Sequence, residues 1–204
     1  MVKSLKESLK ENVSFFDSWA GSYDWSVFQY WMKHFHVPIL RKLEGKKDVS
    51  VLDMSCGTGQ LLLAMHRLGV KRLYGADISD NMLDQARKRL PSSVVLRKAD
   101  VHNLPFKANE FDYVVSTEAF HHYHDQKRAL QEMKRVARKG GEVIVVDINF
   151  FSDFIHWLFQ KIEPGCVKVN SKHEMQELFK LSGLAKISQK RYFLFSVMTS
   201  GVKV

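Results

Sequence analysis

The chain has 204 residues, 45% hydrophobic and 26% charged, with a formal net charge of +9. That length builds one good core rather than two domains, and the composition is that of a soluble globular chain, not a disordered or membrane-embedded one. The longest apolar runs, such as 61–65, fall far short of a bilayer span, and the opening MVKSLKESLKEN has no apolar signal core; the cytoplasm is the expected compartment.

Cys56 and Cys166, the two cysteines, lie far apart and form no C-x-x-C, so neither a disulfide framework nor a thiolate zinc site is expected. The basic excess suits solubility, a polyanion or an anionic membrane surface. Its lysines are scattered beside acids, as in LKESLKEN and RKLEGKKD. Nucleic acid is therefore not the expected partner, while peripheral membrane contact and the choice between monomer and homodimer stay open.

Residues 1–47 read mostly as helix, with Leu5, Leu9, Val13 and Phe16 at helical spacing and aromatics crowding from Phe15 to Phe35. Pro38 is expected to start or bend a helical turn. Strand and helix then alternate through 48–148. Strands are predicted at 49–54, 72–76, 94–97, 112–116 and 143–148. Helices are predicted at 60–68, at 79–90 behind the cap Ser79, and after the cap Asp125. The pair Gly140-Gly141 is expected to close that last helix. Phe151, Phe154, Ile155, Leu158, Phe159 and Ile162 give a helical stripe in a variable segment, 149–170, which reads either as core contact or as a greasy lid. Over 171–204, Ser171 with Glu174 forms a capping box, and 186–190 and 192–198 read as antiparallel strands. Repeated strand–helix units predict an α/β fold, a mostly parallel sheet with helices on both faces, whose strand-end loops share one rim.

Three of those loops carry polar chemistry. VLDMSCGTGQ ends the first strand in two close glycines. Gly57 and Gly59 permit dihedrals and close approach that a Cβ forbids, and the helix from Gln60 turns its unpaired N–H groups to the same place. The turn is neither G-x-G-x-x-G nor a phosphate loop with Lys-Ser or Lys-Thr, which leaves a nucleoside-containing ligand or a purely structural turn. Asp77, 24 positions after Asp53, ends the second strand. It can accept ribose hydroxyls or serve as a helix-start residue. Asp100, in LRKADVHNLPF, can accept from an exocyclic adenine amine or act as a cap.

VLDMSCGTG, YGADIS, KADVHNLPF, FDYVVSTEAFHHYHD and ALQEMKRVARKGGEVIVVDI together resemble the class I S-adenosylmethionine-dependent methyltransferases, most closely the ubiquinone/menaquinone-biosynthesis group. The resemblance implies a Rossmann-like, doubly wound, seven-stranded sheet with an antiparallel last strand. The cofactor it implies is S-adenosylmethionine, with S-adenosylhomocysteine as product. It places Asp53 at the amino-acid end of the cofactor, with Ser55, Cys56, Gly57 and Gly59 beneath it. Asp77 would take the ribose, with Ile78 against the adenine. Asp100 and Val101 would frame the adenine, Thr117 would line the methionine part, and Tyr23 would close over it. Phe120-His121-His122 matches the family's apolar residue and histidine before the Asp125 helix. The absence of N-P-P-Y or D-P-P-Y argues against amino-methylation of nucleic-acid bases by that route.

The reaction so implied is in-line methyl transfer to a small-molecule acceptor, quinone-like or lipid-like in class. RNA or protein methylation and a non-catalytic binding role are the alternatives. His121, His122 and Tyr23 are the expected catalytic residues, the histidines together with His124 as candidate bases. H-H-Y-H lacks carboxylates or thiols at ligand spacing, so no metal is expected.

Overall fold

The computed structural model describes residues 26–204, with side chains from Met32 onward. The N-terminal expectations, including Tyr23 and the segment before residue 26, lie outside the described residues. Helix α1 (Ser26–Leu43) leads into β1 (Ser50–Asp53), α2 (Gln60–Arg67), β2 (Arg72–Asp77), α3 (Asp80–Arg89), β3 (Val95–Lys98) and β4 (Phe111–Thr117). A single 3-10 turn, Phe120–His122, precedes α4 (Gln126–Val136) and β5 (Ala137–Ile148). Helices α5 (Asp153–Ile162) and α6 (Lys172–Leu181) and strands β6 (Ala185–Arg191) and β7 (Ser196–Val202) complete the chain.

The sheet has seven strands in the order β3-β2-β1-β4-β5-β7-β6. The first five run parallel, and β7 is antiparallel to both β5 and β6. Because side chains alternate across a strand, adjacent residues feed opposite faces. Val51, Val115, Ile144 and Val146 pack under α1, α2 and α3. Leu52, Val114, Val143 and Val145 pack under α4 and α6. Both faces are covered, which is why β1 is buried along its whole length and 143–146 of β5 read as an unbroken apolar run. The predicted helix starts hold: Ser79 and Asp125 accept from Met82 N–H and Arg128 N–H, and the Ser171–Glu174 capping box is reciprocal. Among the described residues no helix is long and apolar enough to cross a membrane.

Three local expectations need correction. First, Gly140-Gly141 does not close α4, which ends at Val136 and runs straight into β5. Ala137 pairs with Phe111, and the next pair is Glu142 with Tyr113, so 138–141 form a bulge in β5. Gly140 takes φ 74°, and a Cβ on Gly141 would lie 2.9 Å from the Phe111 carbonyl. The glycines serve a strand crossing, not a cap. Second, residues 192–195 form the β6–β7 turn rather than the start of a strand, with Tyr192 N–H donating to the Ser196 carbonyl. Third, Pro38 does not start a helical turn, since α1 passes through it.

Helix α1 is tolerant of that proline for a visible reason. Proline has no N–H for the carbonyl four residues back. That carbonyl, His34 O, accepts from Ser196 Oγ–H of β7 at 2.9 Å. The bond ties the helix to the far half of the sheet. On its inner side Phe35, Ile39 and Leu43 are fully buried in the core, so this part of α1 is a layer of the fold. Ser196→Ala should lower stability by about 1 kcal/mol. Adding Pro38→Ala, which restores a helical donor, should recover most of it. A double-mutant cycle by urea denaturation measures this; purely additive effects would mean the two residues do not share the carbonyl.

Candidate active site

The loops after β1, β2, β3 and β4 converge on one cleft of about 980 Å³, counted out to solvent. The first loop is shaped by its glycines in two different ways. Gly57 has φ 49°, and a Cβ built there meets no atom within 4 Å; its open side is the cleft floor. Gly59 has φ 79°, but a Cβ there would sit 2.7 Å from Leu90 Cδ1. Gly59 therefore lets α2 start close against the end of α3, and it does not line the cleft. Cys56 is buried, and its Sγ lies against the bare face of Gly75. Burial, and then Asp77 and Asp53, push its thiol pKa up, so it is an inert packing group.

Asp77 braces this loop. Its Oδ2 accepts from Gly57 N–H at 2.8 Å and its Oδ1 from Ser79 N–H at 3.0 Å. Asp53, below it, is almost fully buried, and its Oδ1 has no hydrogen-bond partner. Burial first, and the Asp77 charge second, raise its pKa to about 7. Asp100 accepts through Oδ1 from its own turn, from His102 N–H at 2.9 Å and from the His102 ring at 2.6 Å. Ile78, Val101 and Thr117 stand on the cleft wall with Ser55 and Cys56.

Of the residues expected here from sequence, the structure thus brings Asp53, Ser55, Cys56, Gly57, Asp77, Ile78, Asp100, Val101, Thr117 and His122 to one cleft. His121 is not among them. It is wholly buried behind the wall, with Nδ1–H donating to Asp147 Oδ1 at 2.7 Å. Burial works to lower the His121 pKa, but Asp147 and Glu163 outweigh it and raise it to about 10. His122 is lowered to about 3 by burial and by the His121 charge. Neither is poised near neutral pH as a proton acceptor, because one is held charged and the other is stripped of solvent. His124 stands at the mouth of the cleft, its ring 3.7 Å from that of His102.

Several wall residues were not read from the sequence. Tyr123 is buried, and its hydroxyl bridges Ser55 Oγ at 2.6 Å and Ser116 Oγ at 2.8 Å, tying the first and fourth loops together. The H-H-Y-H run drew attention to its histidines, while the tyrosine between them carries the link. Met32 and His36 reach the cleft from α1; their one-turn spacing in an aromatic-rich helix was a signal that could have marked them. Glu118 takes φ 48° directly after β4, a conformation uncommon for a residue with a side chain, and it also faces the cleft.

Comparison with known proteins gives a consistent picture. Residues 52–145 match the family described as methyltransferase domain. The chain is 31% identical over 148 residues to an uncharacterized methyltransferase of Geobacillus sp. (strain WCH70), covering 69% of each. It is 30% identical over 144 residues to a demethylmenaquinone methyltransferase of Shouchella clausii, covering 65% of this chain and 61% of that one. Its fold matches a structure of the Haloferax volcanii Trm112 methyltransferase activator in complex with a methyltransferase, at a TM-score of 0.81 and 23% identity over 92% of this chain and 97% of that one.

Asp53 supplies a pH test. A carboxyl whose pKa is raised in the folded state binds more protons there than when unfolded. Its contribution is present below the unfolded value and is lost as pH rises toward about 7. Ligand-free protein should therefore lose stability from this group between about pH 4 and 7, and Asp53→Asn should flatten that slope. Parallel denaturation curves for both proteins across the range check it; identical slopes would mean Asp53 ionises normally.

Proposed function

Since the chain belongs to the class I S-adenosylmethionine-dependent methyltransferases, we propose that it methylates a small apolar acceptor, quinone-like or lipid-like, by in-line displacement. The observation that carries this reading is the pairing of an open glycine floor at Gly57 with the buried, unpartnered Oδ1 of Asp53. A floor without a Cβ admits a ligand to van der Waals contact with the backbone. A buried carboxylate oxygen without a partner calls for a cation or a donor. An amino acid joined to a nucleoside meets both demands.

When bound, the cofactor supplies a methyl group already activated on a sulfonium, and S-adenosylhomocysteine leaves. In this reading the chain holds and orients. Asp53 takes the ammonium of the amino-acid end, which relieves its own buried charge. Each oxygen of Asp77 can accept more than one hydrogen bond, so it can take the ribose hydroxyls while still bracing Gly57 and Ser79. Ile78 and Val101 supply apolar walls for the base, with Asp100 toward its amine. Ser55, Cys56 and Thr117 line the methionine part. Tyr123 fixes the spacing between the first and fourth loops, and spacing governs how well an attacking atom lines up with the carbon–sulfur bond.

An apolar acceptor fits the apolar side of the cleft. Met32, Leu61 and Met82 line the cleft, and the demethylmenaquinone methyltransferases among the relatives act, by name, on such a ring. Helix α5, over the 149–170 segment, bears the same character. Most of its stripe does not join the core: Phe151, Phe154 and Ile162 are 73%, 67% and 68% exposed, with Trp157 beside them at 53%, while Phe159 packs against the core. Lys161 and Lys168 lie in the same segment. A lipid-dissolved acceptor would be met at such a face.

Gly57→Ala separates ligand space from fold. The added Cβ meets no protein atom, so stability should fall only by the roughly 1 kcal/mol of the positive φ. Calorimetric affinity for S-adenosylhomocysteine should drop more than 10-fold. Unchanged affinity, or tighter binding of NAD than of S-adenosylhomocysteine, would refute the cofactor assignment. For the acceptor, transfer of labelled methyl should proceed to a demethylated quinone-like ring or a lipid amine, and not to bulk RNA. Sedimentation with anionic vesicles should fall when Phe154 and Trp157 are both changed to Ser; no vesicle binding by the parent would remove the membrane face from the proposal.

A further inference from the structure

Behind the cleft wall three potential metal donors meet from distant parts of the chain: His121, His122 and Glu163. The two histidines come from the 3-10 turn after β4, and Glu163 ends α5. Their placement is fixed by main chain. Val167 N–H and Lys168 N–H both donate to the His121 carbonyl, at 2.8 and 3.0 Å, which pins the loop that follows Glu163 onto the turn.

We propose that His121, His122 and Glu163 form a binding site for one divalent transition-metal ion of the zinc class. Distance is the first argument. Glu163 Oε1 lies 3.6 Å from His121 Nε2 and 3.7 Å from His122 Nε2. Those separations are too long for hydrogen bonds. Two donors on a tetrahedral zinc, each about 2.0–2.2 Å from the metal, sit roughly 3.3–3.6 Å apart. One donor atom from each of the three residues falls within 4.8 Å of the others, so a single ion can reach all of them with small side-chain adjustments.

The second argument is the orphaned nitrogen. His121 Nε2 is fully buried and has no hydrogen-bond partner. Its Nδ1–H is committed to Asp147, the arrangement by which a carboxylate orients a metal-binding imidazole and turns the other nitrogen's lone pair to the ion. An imidazole nitrogen facing a carboxylate oxygen at this distance calls for a cation between them, either the proton that keeps His121 charged or a metal ion that replaces it. A divalent ion would also balance the buried Asp147 and the half-buried Glu163.

Two imidazoles and a carboxylate suit zinc, iron(II) or cobalt(II) rather than magnesium or calcium, which favour oxygen ligands. Three protein donors leave a fourth position for water or another small donor. The local sequence gave no sign of this set, because its carboxylate comes from the end of a helix far along the chain. The site does not depend on the cofactor assignment. Its evident consequence is mechanical: it would clamp the 149–170 segment to the loop that carries the cleft wall.

The test uses the full chain, stripped with chelator and titrated with cobalt(II) and zinc(II). One saturable equivalent should bind, with the visible ligand-field absorption of four-coordinate cobalt and its loss on adding zinc. Glu163→Gln, a change at a partly exposed carboxylate, should weaken binding at least 10-fold. Asp147→Asn should weaken it 10- to 100-fold. His173→Gln, on the exposed start of α6, should change nothing. Folded parent protein that shows no saturable cobalt or zinc binding would overturn the proposal and leave a proton as the cation between His121 and Glu163. Binding that Glu163→Gln leaves intact would overturn it equally, by placing the metal elsewhere.

Discussion

The cleft depends on a single carboxylate that spans two loops. Asp77 accepts from Gly57 on one side and Ser79 on the other, so the turn after β1 and the start of α3 share one anchor. In the glycine-bearing turn Cys56 N–H goes to the Ala76 carbonyl of β2 and Gly59 N–H to the Cys56 carbonyl, while the N–H groups of Gly57 and Ser79 go to Asp77. Fixing them on Asp77 gives the floor its shape before any ligand arrives. The nearness of Asp53 follows from the same geometry. Two carboxylates at neighbouring strand ends repel, and the buried one holds its proton more tightly. A cationic ligand group is then the natural partner of the site.

The opposite wall is organised by another polar link, Tyr123, whose hydroxyl joins Ser55 to Ser116. With Asp77 it makes the rim a closed set of loops rather than three independent ones. Behind it, Asp147 at the end of β5 fixes His121, and Glu163 reaches the same pair of histidines. The histidine-rich run thus serves the wall and its support more than the open cleft. Helix α1 closes the apolar side, carried over its proline by Ser196, while α5 leaves its aromatic face outward. The two elements outside the alternating strand–helix pattern have therefore gone opposite ways, one into the core and one toward solvent or an apolar partner.

The sequence by itself determined the alternating layers, the positions of β1 to β4 and β6 to within a residue, and the helix starts at Ser79, Asp125 and Ser171. Each of these rests on local rules: side-chain period, capping chemistry and the punctuation of glycine and proline. It also determined most of the cleft, since in a parallel sheet the polar residues ending the strands must share one rim. Only the tertiary structure decided what non-local pairing governs. It moved Gly140-Gly141 from a helix cap to a bulge, because Phe111 and Lys203 supply the partners there. It carried α1 through Pro38, because a serine 158 positions later in the chain takes up the spare carbonyl. It drew His121 out of the cleft, because Asp147 and Glu163 claim it from behind. A residue's type announces which bonds it can make, but which partner meets it is settled by chain segments that lie far apart until the sheet has formed.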